Sequence, residues 1–398
     1  MRGWREYAAQ RGKSAKMSRL RAGLVNASLV VGSIALTLLS LEMVLRLVAN
    51  VQNPDPPALV VTPPPPPSDQ EIVVPPEIIA AAKSRQDMVN MPDSWRLTRV
   101  HVDGAARADR WQGVLEVYNS EGMRWARPFP EKREDVYQVI VVGDSLTYGA
   151  GLAEESRFSN LLEQWLSQDY RIEVLNLGVS GHQSQDVLHD IQKYVPLLKP
   201  DLVIYAVCIN DFLPSGRGQY EYSYAYSFPL PETWKTFLIT HTRTGALLSE
   251  EYDGSLRRLH LRGDFYDDIL TDFEGYQQRF AKDVAEMNRT IRDAGLPPLV
   301  AMVVDQYPAD YRGYKIANVA EGALTRAGAE VIGTEDYYRR YYNLAMSISP
   351  WEGHPNEVAN YIWASMLAKE LRGRSDLQAF KKDLIPLSTP GADLAVSR

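Results

Sequence analysis

The chain has 398 residues, a single cysteine, and 43 Lys and Arg against 50 Asp and Glu, a net charge of −7. One cysteine excludes an intramolecular disulfide and leaves the redox compartment open, while the acidic balance argues against nucleic-acid binding by the main domain. The length accommodates one large α/β domain with additions, and no internal repeat is visible.

In residues 1–22, Arg2, Arg5, Arg11, Lys13, Lys16, Arg19 and Arg21 face Glu6 alone, so this basic segment is net +6 and the remainder of the chain −13. Gly23 to Leu41 then gives 19 positions without a charge, and the apolar character resumes after Glu42 as far as Val48. A helix over 23–48 is long enough to span about 30 Å of hydrocarbon, and the basic flank keeps the N-terminus cytoplasmic. A cleaved signal peptide is the rival reading. Leu47-Val48-Ala49 is a poor small-x-small cleavage site and the stretch outruns a signal core, which favours an uncleaved signal anchor. Glu42 and Arg46, one turn apart near the outer end, are placed to pair or to reach the interface. Residues 49–76 include Pro63 to Pro67 in a row; such a stretch builds no core and is expected to form an extended spacer.

Residues 77–132 end in Tyr118-Asn119-Ser120-Glu121-Gly122-Met123-Arg124 and are expected to pack on the following domain or the rim of its site. The apolar run Val136 to Val142 predicts a buried strand, followed directly by Gly143-Asp144-Ser145-Leu146. Glycine lets the chain turn sharply there, so Ser145 should face a crevice at a strand's carboxyl end, where α/β sheets bind ligands. On its own, such a serine is more often a cap or turn residue than a nucleophile.

Further elements follow in alternation. Helical spacing covers Phe158 to Leu166, and a strand over Ile172 to Asn176 runs into the glycine-rich loop Leu177-Gly178-Val179-Ser180-Gly181-His182. A helix over Gln185 to Leu198 precedes a strand over Asp201 to Ile209, which ends in Asn210-Asp211. Residues 212–272 form a long insertion that starts at the crevice and is a natural lid, with Tyr220, Tyr222, Tyr224 and Tyr226 alternating in it to stack on sugar rings or simply pack the lid. Helices over Phe273 to Ala294 and Ala317 to Ala327 alternate with strands over Leu299 to Val304 and Glu330 to Ile332. Last come Ser349-Pro350-Trp351-Glu352-Gly353-His354-Pro355-Asn356, a helix over Val358 to Leu371, and a tail from 377 to 398. This alternation predicts an α/β fold of three layers, α/β/α, with a mostly parallel sheet.

Four loops gathered at one sheet edge would supply a nucleophile, a base, an acid and several hydrogen-bond donors, which is the equipment of acyl transfer. Over residues 133–376 the chain resembles the SGNH or GDSL-type serine esterase and acyltransferase superfamily. Gly143 to Leu146 fits its first block, Asn176 to Gly181 its second, Asn210-Asp211 its third and His354 to Asn356 its last. The resemblance implies that Ser145 is the nucleophile, that the Ser145 amide, Gly181 and Asn210 are oxyanion donors, and that His354 is the general base. Asp144 suits a loop-bracing role.

Two positions depart from that pattern. Cys208 stands where the third block has glycine, and Trp351 where the last block has aspartate. Glu352, two residues before His354, is the nearest acid for orienting the imidazole; a backbone carbonyl holding His354 is the alternative. His182, next to Gly181, is a candidate substrate contact or a surface residue. His101, His189, His241 and His260 fall at no metal-ligand spacing, and neither metal nor cofactor is expected.

The expected function is that of a membrane-anchored extracytoplasmic serine esterase, periplasmic or at the cell surface. Its substrate would be an ester, with O-acyl groups of surface or periplasmic glycans favoured. A glycan O-acyltransferase, a lysophospholipase or lipase, and a catalytically degenerate carbohydrate-binding component of an envelope assembly stand as alternatives. The membrane enters as a partner through the N-terminal helix, and nucleic acid does not.

Overall fold

The structure is a computed structural model that describes residues 28–44, 72–89, 97–215, 229–261, 265–304, 311–348 and 353–382, apart from a few positions within those ranges. The chain divides into two compact units, residues 1–56 with 223–262 and residues 57–222 with 263–398.

Helix α1 (residues 28–44) belongs to the smaller unit. Among the described residues no helix is long and apolar enough to cross a membrane. The span expected over 23–48 runs past the described residues at both ends. The larger unit opens with α2 (Pro76–Val89) and an antiparallel sheet of β1 (Thr98–Val100), β2 (Arg107–Trp111) and β3 (Val114–Tyr118). The core follows as β4 (Tyr137–Gly143), α3 (Ser145–Tyr148), α4 (Phe158–Leu166), β5 (Ile172–Asn176), α5 (Ser184–Leu198) and β6 (Leu202–Val207). Helices α6 (Glu232–His241) and α7 (Arg243–Arg258) lie in the smaller unit. The larger unit resumes with α8 (Phe265–Thr271), α9 (Phe273–Asp293), β7 (Val300–Val303), α10 (Tyr311–Arg326), β8 (Glu330–Ile332) and α11 (Glu357–Arg372).

The five-stranded sheet has the order β5-β4-β6-β7-β8 and is parallel throughout. All seven residues of β4 are buried, as expected for a central strand covered on both faces. Its side chains alternate between two cores. Val139 and Val141 join the cluster that holds Phe158, Trp165 and Trp363 from α4 and α11, whereas Ile140 and Val142 join Val187, Phe280 and Ile316 from α5, α9 and α10. The helices therefore form a layer on each face, giving the expected three-layer α/β/α fold with a parallel sheet. Edge-on ring contacts, Phe158 on Trp363 at 5.9 Å and Trp165 on Tyr361 at 5.2 Å, lock α4 to α11.

After β4 the chain builds β5 on one side and then crosses to β6 on the other. That reversal places a crevice at the carboxyl ends of β4 and β6, where Gly143 pairs with Ala206. The expected lid, 212–272, is divided: residues 223–262 cluster with the N-terminal segment, and 263–272 with the larger unit. Tyr220, Tyr222, Tyr224 and Tyr226 lie outside the described residues, as do the basic segment 1–22, most of the proline-rich spacer and residues 383–398.

Candidate active site

β4 enters the turn through Gly143, whose backbone runs so close to β6 that a Cβ there would stand 2.6 Å from the Ala206 carbonyl oxygen. Only glycine fits. Asp144 then caps the short helix α3, its Oδ1 accepting from the Leu146 N–H at 2.9 Å. The cap sets Ser145 at the helix entry, 8% exposed, its Oγ donating to Asp144 Oδ2 over 3.4 Å.

Asp144 does more than cap. Its Oδ2 also accepts from the Asn210 amide at 2.9 Å, so the side chain expected to donate into the oxyanion hole is tied to the loop that carries the nucleophile. One Asn210 amide hydrogen is committed to Asp144, and the amide nitrogen carries a second. Burial pushes the Asp144 carboxyl up from its ordinary value, while the Leu146 N–H, the Asn210 amide and the charge of His354 pull against that rise. The last influence places His354 in the electrostatic neighbourhood of the serine loop.

The turn that presents Asn210 is built by Asp211. Its carboxyl accepts from the Cys208 N–H at 3.0 Å and the Tyr205 hydroxyl at 2.7 Å, and burial, with the charge of Asp144, raises its pKa well above the carboxylate range. Cys208 sits at φ −99°, ψ 151°, extended backbone that a residue with a side chain adopts freely, which explains how this chain does without glycine there.

From β5, Asn176 donates to the Thr147 carbonyl at 2.6 Å and accepts from the Gly178 N–H at 2.9 Å, fastening the second loop to α3. That loop brings Gly181, in the left-handed region at φ 86°, and then His182. His182 is no loose surface residue: its Nδ1 lies 2.9 Å from Asp190 Oδ2 on α5, and only 26% of its side chain is exposed. Burial pulls its pKa down, and the Asp190 hydrogen bond with the charges of Asp190, Asp186 and Asp144 reverses that, leaving it above the ordinary imidazole value.

His354 precedes α11 on a loop pinned by main-chain pairing. Its carbonyl accepts from Ile348 N–H at 2.8 Å, and Asn356 donates to the Ala345 and Ser347 carbonyls while capping α11 through the Val358 N–H at 2.9 Å. Glu352 and Trp351 lie outside the described residues. The site therefore combines Ser145, Asn210 and Asp144 in direct contact, with His354 near Asp144. Among the described residues no group of three or more His, Cys, Asp or Glu is placed to hold a metal ion.

Beneath the serine loop lies a second layer that motif reading missed. Arg124 donates to the carbonyls of Tyr148, Gly149 and Leu152, and Arg157 donates to the Arg124 carbonyl at 2.8 Å. Both guanidiniums are about 1% exposed. Burial, with Arg124 as a like-charged neighbour, pushes Arg157 down to about 10. Glu116, on β3, accepts from the Tyr148 hydroxyl at 2.9 Å and lies 3.7 Å from Arg124. The small sheet thus braces the loop that follows the nucleophile. The available signal was Arg124 itself, a charge set between Met123 and Trp125.

A family model for GDSL-like lipases and acylhydrolases matches residues 141–360, more than half of the chain. The chain belongs to the GDSL-like lipase/acylhydrolase family. It is an SGNH-type serine hydrolase. Solved structures similar to it include TesA (14% identity, 59% of this chain and 98% of that one, TM-score 0.38). Others are the esterase EstA from Pseudoalteromonas sp. (13%, 59% and 97%, 0.38) and the acetylxylan esterase Axe2 from Geobacillus stearothermophilus (15%, 59% and 93%, 0.36). No curated protein matches the chain.

Proposed function

We propose that this serine esterase is anchored in a membrane by its N-terminal helix, works outside the cytoplasm, and removes O-acyl groups from surface or periplasmic glycans. The observation that supports the chemistry is the Ser145–Asp144–Asn210 contact, in which the proposed nucleophile and the proposed oxyanion donor share one carboxylate. His354 takes the Ser145 proton as Oγ bonds to the ester carbonyl carbon. The resulting oxyanion is met by the Ser145 and Gly181 amides and the second Asn210 hydrogen, each such donor contributing roughly 3 kcal/mol in comparable sites. Protonated His354 returns the proton to the departing alcohol, and water, activated by the same imidazole, releases the acid from Ser145. Glu352 is assigned to orient that imidazole.

The location rests on the basic segment 1–22, the uncharged stretch 23–41 and the apolar side chains exposed along α1, among them Leu29, Ile34 and Leu39. The glycan assignment follows from that location, where acylated polysaccharides are the ester-bearing polymers that a tethered enzyme meets.

The test gives the full chain, in detergent, p-nitrophenyl acetate and an O-acetylated polysaccharide, and measures free acetate. Release from both is expected, with a loss of more than about 1,000-fold in Ser145→Ala. Turnover of the small ester alone moves the substrate class away from glycans, and acetate passed to an added sugar in preference to water makes the enzyme a transferase. Absence of any turnover, together with no fluorophosphonate labelling, overturns the esterase reading. A reporter fused after Arg398 that is active only inside the cell overturns the location.

A further inference from the structure

Residues 223–262 of the insertion after Asn210 cluster with the N-terminal segment. The insertion's helices α6 and α7 share a compact unit with α1. They meet at the single extended residue Thr242, whose Oγ donates to the Leu238 carbonyl at 2.7 Å and accepts from the Gly245 N–H at 2.9 Å. The corner is tight: a Cβ on Gly245 would lie 2.5 Å from the Leu238 carbonyl oxygen. At this corner Glu42 of α1 binds the insertion. Its Oε2 accepts from the Thr244 N–H at 3.0 Å and from the Thr244 hydroxyl at 2.9 Å, capping the first turn of α7. The expected partner Arg46 lies outside the described residues, and the acid that ends the uncharged stretch is instead a bond between α1 and the insertion.

Two apolar surfaces of this unit are exposed. On α1 the exposed residues, such as Val31, Ile34 and Leu39, spread around the whole helix. On α6, Trp234 and Phe237 stand one turn apart, 64% and 51% exposed. We propose that the α6–α7 insertion is a second membrane-seating element, lying in the outer lipid interface beside α1 with Trp234 and Phe237 at the boundary between headgroups and acyl chains. The proposal rests on the membrane-anchor reading of α1.

The occupant is lipid because of where the unit is held. Glu42 closes the uncharged stretch 23–41, so on the anchor reading its carboxylate lies at the outer edge of the hydrocarbon. An α7 start bonded to Glu42 lies at that same depth. Trp234 is ten residues before Thr244, so a helical path between them spans at most roughly 15 Å, and the proposal has α6 run along the membrane plane to keep it in the interfacial layer. Trp and Phe on an exposed helix face are the side chains that favour this layer. Glu42 in turn exchanges water for two donors, which offsets the cost of an acid at that boundary.

The test places a spin label on the full chain in phospholipid vesicles, at Ile34→Cys, Phe237→Cys or Lys369→Cys. Cys208 is buried, so the label reports the introduced thiol, with the wild-type chain as control. Collision with oxygen, which partitions into lipid, is compared with collision with a water-soluble nickel chelate. The expected result is that Phe237→Cys matches Ile34→Cys in being open to oxygen and closed to the chelate, at shallower depth, with the opposite pattern at Lys369→Cys. Chelate access at 237 with lipid behaviour at 34 overturns the seating and leaves the anchor standing. Shielding of 237 from both reagents means that protein covers the face, and also overturns it. Chelate access at 34 removes the anchor and this proposal together.

Discussion

Two histidines flank the serine loop and are held in opposite ways. His354 has a fixed backbone: its carbonyl binds the Ile348 N–H, and Asn356, two residues on, caps α11. His182 has a fixed ring, with Asp190 Oδ2 2.9 Å from its Nδ1. Both act on one carboxyl group, since the charge of His354 lowers the Asp144 pKa and Asp144 raises that of His182. A carboxylate–imidazole pair beside a serine is thus not by itself a catalytic dyad. A raised pKa does not by itself exclude His182 as a base, because an acid orienting His354 would shift that imidazole in the same direction; the proposed base is His354 because of its place in the family pattern. The proposal therefore makes His354 the base and His182, its ring tied to Asp190, a positive charge next to Gly181.

Exchanging the roles would break this contrast, and it is open to direct test. His354→Ala should lower kcat/KM for p-nitrophenyl acetate by about 1,000-fold or more, since base and nucleophile act as one unit. His182→Ala should stay within about ten-fold, or roughly 1.4 kcal/mol of barrier. The reverse order would make His182 the base and Asp190 its orienting acid.

A smaller effect sharpens the same contrast at the carboxylates. Glu352→Gln removes the charge assigned to steadying the His354 imidazolium, and should slow turnover at least about ten-fold, near 1.4 kcal/mol. Asp190→Asn should cost less than Glu352→Gln in kcat, because Asp190 serves a histidine outside the proton path. If Glu352→Gln leaves the rate unchanged, the third role passes to another acceptor near His354. The discriminating readout is the pH profile of kcat/KM: Glu352→Gln should move the limb that reports the base, and Asp190→Asn should not.

The core was legible because its signals are local. Strands Ile172–Asn176 and Glu330–Ile332 and helix Phe158–Leu166 lie where periodicity places them, and the β6 strand is shorter than expected because Asp201 precedes it and Cys208 and Ile209 turn away into the Asn210 loop. Helix α10 begins at Tyr311, six residues before the expected Ala317, since its early turns carry too few apolar residues to announce a helix. What stayed hidden depends on distant pairs. The β1–β2–β3 sheet offers short, charged strands such as Arg-Ala-Asp-Arg-Trp, whose Asp109 is buried against Arg99 and Arg107. Nothing local marks β2 as a strand, although the Val-Leu-Glu-Val-Tyr of β3 carries strand-favouring residues. Likewise the Asp144–Asn210 bond spans 66 positions and the Glu42–Thr244 bond 202, and neither partner's identity predicts the other.

The smallest effect separates the two histidines through stability. His182 has a folded pKa above its ordinary value, so its charged pairing with Asp190 stabilises the fold fully below the unfolded pKa, near 6.5, and that contribution is lost as pH rises through the folded value. His182→Gln keeps a polar side chain but no titrating charge. Its Tm should therefore fall below that of wild type at about pH 6, with the gap narrowing steadily toward about pH 9. Because the side chain is partly exposed, added salt should shrink the gap at the acid end and leave the alkaline end unchanged. A gap of constant size across that range would mean that His182 supports the Gly181 loop by packing alone, and the contrast with His354 would then rest on position and not on charge.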